Sequence, residues 1–68
     1  MLIKFEVYKD GRWWGARALG HAIFTQGRTL DEVYKNIKEA AHLHFEDEVQ
    51  KGEMRLFATV LNQGPVDP

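Results

Sequence analysis

Polar and apolar residues alternate over the first nineteen positions. Ile3, Phe5 and Val7 interleave with Lys4 and Glu6, and Trp14, Ala16 and Ala18 interleave with Arg17. A period of two is the mark of a half-buried strand. Between the two runs stands Asp10-Gly11, a strong hairpin signal because both central residues of a type I′ turn need positive φ. A two-residue loop there pairs Lys9 with Arg12, Tyr8 with Trp13, Val7 with Trp14, Phe5 with Ala16 and Ile3 with Ala18. One face then carries Ile3, Phe5, Val7, Trp14, Ala16 and Ala18, all apolar, and is the predicted core side. The other carries Leu2, Lys4, Glu6, Tyr8, Trp13, Arg17 and Leu19.

Past Gly20, the segment "HAIFTQ" reads as a third short strand. The period then changes. Leu30, Val33, Tyr34, Ile37, Ala40, Ala41, His44 and Phe45 recur at helical spacing, and residues 29 to 51 contain neither Pro nor Gly. One helix is expected over that range, stopped by Gly52. "MRLFATVL" alternates again as a fourth strand, with Met54, Leu56, Ala58 and Val60 inward. "NQGPVDP" has no apolar pattern and reads as a flexible tail. The order is β-β-β-α-β, and a right-handed crossover lays the last strand beside the first and parallel to it. The expected fold is α+β, with one helix on a four-stranded mixed sheet, a domain over 1–61 and a tail over 62–68.

The junction "TQGRTLDE" could start a helix or hold a phosphate. Thr29 and Glu32 form a capping box: the Thr29 oxygen accepts from the Glu32 N–H, and the Glu32 carboxylate reaches back to the Thr29 N–H. Asp31 and Glu32 already occupy the positive end of the helix dipole with negative charge. Neither glycine-rich phosphate motif is present, so the helix start is the better reading. No Ser or Cys can serve as a nucleophile. His42 and His44 fall on different sides of a helix and cannot share a metal. His44 lies on the apolar face and is expected in the core. Asp31 with Glu39 is a carboxylate pair without a supporting constellation. The chain is therefore expected to be non-enzymatic and to need neither cofactor nor metal.

Composition sharpens the picture in two places. A chain of 68 residues without cysteine has a marginal core, and oligomerisation is its usual support. No leader or long apolar run is seen, so a cytoplasmic protein without membrane association is expected. The net charge of −1 argues against a general nucleic-acid binder. Residues 1–28 nevertheless sum to +3 and residues 29–48 to −4. One helix covers one face of the sheet, so Tyr8, Trp13, Arg17, Leu19 and Phe57 on the other are expected to form a partner or oligomer interface. Leu61 is expected on that face too. Leu43 points away from the apolar side of the helix and joins the interface candidates, and Asp31 and Glu39 mark an acidic, partner-facing helix.

"DGRWWGARAL" followed by "FTQGRTLDEVYKNIKEAAHLH" resembles the HicB antitoxin family and its short HicB-like relatives. The matching positions are Trp14 and Ala16, then Gln26, Gly27, Thr29, Leu30, Asp31 and Glu32, then Asn36, Ile37, Glu39 and Ala40. The resemblance spans about residues 3 to 46. It implies a degraded ribonuclease-H-like fold and binding to a HicA-type toxin, a small basic mRNA interferase whose catalytic histidine the antitoxin blocks. Full-length HicB antitoxins usually add a C-terminal DNA-binding module, for which this chain has no room, so direct DNA binding is not expected. The leading expectation is a toxin-neutralising protein acting as a homodimer or higher homo-oligomer. The alternatives are a free-standing HicB-like scaffold or binding module, and a small RNA-binding protein using Trp13, Tyr8, Lys4 and Arg17 as a stacking platform.

Overall fold

The two alternating runs form strands β1 (Leu2–Asp10) and β2 (Trp13–Ala18), paired antiparallel. The computed structural model describes residues 1–61, Val49 by its backbone alone. The tail expected over 62–68 lies outside the described residues. The pairing differs from the expected one by two residues: Phe5 lies opposite Ala18, Glu6 opposite Arg17, Val7 opposite Ala16, Tyr8 opposite Gly15, and Asp10 opposite Trp13. Tyr8 therefore does not face Trp13. Gly11 and Arg12 make the turn, with Gly11 at φ 62 and no non-glycine residue at positive φ among those described. This is the type II′ pattern, which asks only its first central residue for positive φ. The expected I′ turn would have asked Asp10 for it as well.

Charge favours the same register. Arg17 donates to the Glu6 carboxylate from Nε at 3.0 Å and Nη2 at 2.9 Å. The expected pairing would have set Arg17 opposite Lys4, and like charges directly opposed are destabilising. Because the slip is an even number of residues, the core face keeps its membership.

Strand β3 (Phe24–Gly27) pairs antiparallel with β2, and strand β4 (Arg55–Val60) pairs parallel with β1, giving the order β3-β2-β1-β4. The architecture is α+β, a mixed four-stranded sheet with one main helix, α1 (Leu30–His44). Helix α1 lies across β2 and β3. Beyond Trp14 at the hairpin end, the inner positions there are Ala16, Ala18, Thr25 and Gly27, whose small side chains leave a trough, while Ile3, Phe5 and Val7 of β1 form its wall. Val33, Ile37 and Ala41 of α1 fill the trough and are buried with them.

The helix does not run unbroken to residue 51. It ends at Phe45 (φ −128, ψ 53), whose N–H still donates to the Ala41 carbonyl at 2.9 Å, and a short α2 (Glu46–Gln50) follows. Glu46, Asp47 and Glu48 form the first turn of α2, where the dipole favours anions. Continued in α1, they would have stood at its negative end. Phe45 takes the apolar position at the break and packs edge-on against His21, with ring centroids 5.1 Å apart. His44, expected in the core, is exposed. Gly52 (φ 69) does stop α2, and the Glu53 N–H returns to the Glu48 carbonyl at 2.9 Å, a Schellman closure.

Candidate interaction surfaces

The outer face of the sheet follows from strand alternation and the two registers. At the N-terminal end of β1 one row runs Phe57, Lys4, Leu19, with Leu2 and Arg55 just beyond. The next row runs Thr59, Glu6, Arg17, Phe24. Phe24 and Phe57 are about as bare as any large apolar side chain of the sheet, 60% and 56% exposed. Phe24 is not legible in the sequence, because a four-residue strand shows too little alternation to assign its faces. Tyr8 lies one row further on, and its ring covers Gly15: a Cβ on that glycine would stand 2.7 Å from Tyr8 Cζ. Leu61, half-buried, continues the β4 ladder through its N–H to the Val7 carbonyl.

Trp13 belongs elsewhere. It sits at the hairpin tip, two outward positions from Arg17 along β2, or roughly 13 Å of strand. There the Arg28 guanidinium lies 5.3 Å from its ring centroid. Arg12, Trp13 and Arg28 line a concavity of about 300 Å³. On the reverse side of the same tip, Lys9 Nζ lies 5.1 Å from the Trp14 ring. The expected interface residues thus divide in two: Leu19, Phe57 and Arg17 at one end with Tyr8 midway, and Trp13 at the other.

The turn into α1 is built as a capping unit. Thr29 Oγ1 accepts from the Glu32 N–H at 3.0 Å, as expected. The Glu32 carboxylate accepts from the Arg28 N–H at 2.5 Å rather than from Thr29. Gly27 packs so tightly on the first helical turn that an added Cβ would stand 2.8 Å from the Val33 nitrogen, and this approach brings the Arg28 N–H within reach. Asn36 Nδ2 donates to the Gln26 carbonyl at 2.7 Å, tying the helix to the edge strand.

Leu43, at 78% exposed, is the barest large apolar residue among those described and points away from the sheet. It does not join Tyr8, Trp13 or Phe57, and it lies beside the acidic α2 in the chain. Asp31 and Glu39 are exposed on α1, eight residues and about 12 Å of helix apart, too far to work as a pair. Lys35 and Lys38 are exposed between them. The concentrated negative charge is in α2, which carries Glu46, Asp47 and Glu48 and no basic residue in its last turn.

A further open surface lies on the inner side of β4. Leu56, Ala58 and Val60 point to the core side, as expected, but Ala58 and Val60 are exposed because α1 lies over the opposite edge. Among the described residues no three His, Asp or Glu side chains gather as a metal site, and no helix is long and apolar enough to cross a membrane.

These surfaces define an α+β domain with an apolar sheet end, a cationic hairpin tip and an acidic helical end. The chain is similar to a UPF0150 protein of Archaeoglobus fulgidus, 53% identical over 43 residues. That stretch is 63% of this chain and 65% of the relative, so the match spans just under two thirds of the relative's length. No family model and no solved structure matches the chain.

Proposed function

We propose that this protein is a HicB-like antitoxin, a cytoplasmic, non-catalytic protein that neutralises a small basic mRNA interferase of the HicA type by covering its active surface. The observation that carries this reading is the unit formed by Gln26, Gly27, Thr29, Glu32 and Asn36. The residues that bear the HicB resemblance act together there: Gly27 admits the helix, Thr29 and Glu32 cap it, and Asn36 ties it to β3.

The basic toxin docks on the acidic helical end, where the exposed Leu43 offers an apolar anchor and Glu46 and Asp47 offer charge, with Glu39 one turn before Leu43 and Asp31 at the far end of α1. Opposite charge speeds encounter and selects the partner, while a buried apolar anchor supplies affinity. A second copy of the chain covers the apolar sheet end at Leu19, Phe24 and Phe57, supplying the burial that a domain of this size lacks.

The test is purification of the tagged protein from its own cells, native mass spectrometry, and assay of any captured partner for RNA cleavage. A stoichiometric small basic partner whose cleavage stops when the protein is added supports the reading. A homo-oligomer without such a partner makes the protein a free-standing module instead.

A further inference from the structure

We propose that the hairpin tip is a separate binding site for one nucleotide unit of single-stranded nucleic acid, its phosphate between Arg12 and Arg28 and its base against Trp13. This inference is independent of the antitoxin reading.

Three observations carry it. The first is shape: the residues lining the concavity of about 300 Å³ are two arginines and a tryptophan, a volume at the small end of ligand sites. The second is charge. Among the described residues, neither Arg12 nor Arg28 has a carboxylate within ion-pair distance. Asp10, directly opposite Trp13 on the same face, is the acid of the tip, but it does not line the concavity and forms no ion pair with either arginine. The third is preorganisation. Trp13 is fixed in β2 opposite Asp10, Arg12 stands in a two-residue turn, and the Arg28 backbone is held by the Glu32 carboxylate.

The chemistry selects the ligand. Guanidiniums bind phosphate through forked, charge-assisted hydrogen bonds. A tryptophan face accepts any base, and the Arg28 guanidinium, 5.3 Å from the Trp13 ring centroid, adds a cation beside it. An acidic peptide would satisfy the arginines but leave the aromatic face unused. The acidic helical end and the net charge of −1 keep the contact local, so few phosphates are engaged.

The experiment is fluorescence anisotropy of short labelled oligouridylate and oligothymidylate strands with the full chain, alongside tryptophan quenching. Neutralising one phosphate gives a salt slope of about −0.7, or roughly two- to threefold weakening from about 50 to about 200 mM salt. Arg12→Gln and Arg28→Gln should each weaken binding at least severalfold, while Lys38→Gln on the far side of α1 should not change it. An abasic strand should bind without quenching the tryptophans. Binding of both strands or of oligouridylate alone, with these dependences, supports the proposal. It is overturned by undiminished binding in the arginine variants, by no binding up to millimolar strand, or by a polyglutamate peptide that competes as well as the strands do.

Discussion

The sheet has two edge strands with opposite fates. β3 is only four residues long, yet Gly27 lies against the first turn of α1, Asn36 donates to the Gln26 carbonyl, and the helix covers its inner side. β4 has six residues and an alternating pattern, yet Ala58 and Val60 on its inner side remain exposed. Apolar periodicity is therefore not enough to bury a strand. Small residues under the helix decided where it could sit, and the wall of Ile3, Phe5 and Val7 kept it on one side. An exposed inner face is also where a protein can still take a partner.

The comparison breaks most decisively at the buried centre. Ile37→Ala should cost about 2–5 kcal/mol, against a total of roughly 0.05–0.15 kcal/mol per residue, so urea titration should find about half of the stability lost. Gly27→Ala should follow at about 1–3 kcal/mol, because its new Cβ meets backbone that cannot step aside. Gly15→Ala is the sharpening control. Its Cβ meets the far end of the Tyr8 ring, which can swing away, so the cost should be clearly smaller, with Tyr8 more exposed to solvent quenching. Thr29→Ala should cost about 1 kcal/mol through the lost helix cap. Val60→Ala on the other edge should change stability by less than about 0.5 kcal/mol. If it cost as much as Ile37→Ala, β4 would have to be covered in solution, and the contrast between the edges would vanish.

The candidate surfaces were legible to unequal degrees. Trp13, Leu19 and Phe57 were placed on the outer face by parity alone, and an even slip in register could not disturb that. Their division into two separate groups was not legible, because it depends on distance along the sheet and on Arg28 arriving from β3. The break at Phe45 could have been read from three consecutive acids, a first-turn signature inside an apparent helix. His44, the last residue of α1, is exposed, and Phe45 at the break is the residue that packs against the core.

By itself the sequence determined the order of the four strands and the main helix, the two sheet faces, the helix cap at Thr29 and the stop at Gly52, because each rests on neighbours within a few residues. Only the tertiary structure decided the hairpin register, the seat of α1 over β2 and β3, the open side of β4 and the meeting of Arg12, Trp13 and Arg28. These depend on side-chain volume and charge brought together from distant parts of the chain, and local pattern carries no record of which residues will meet.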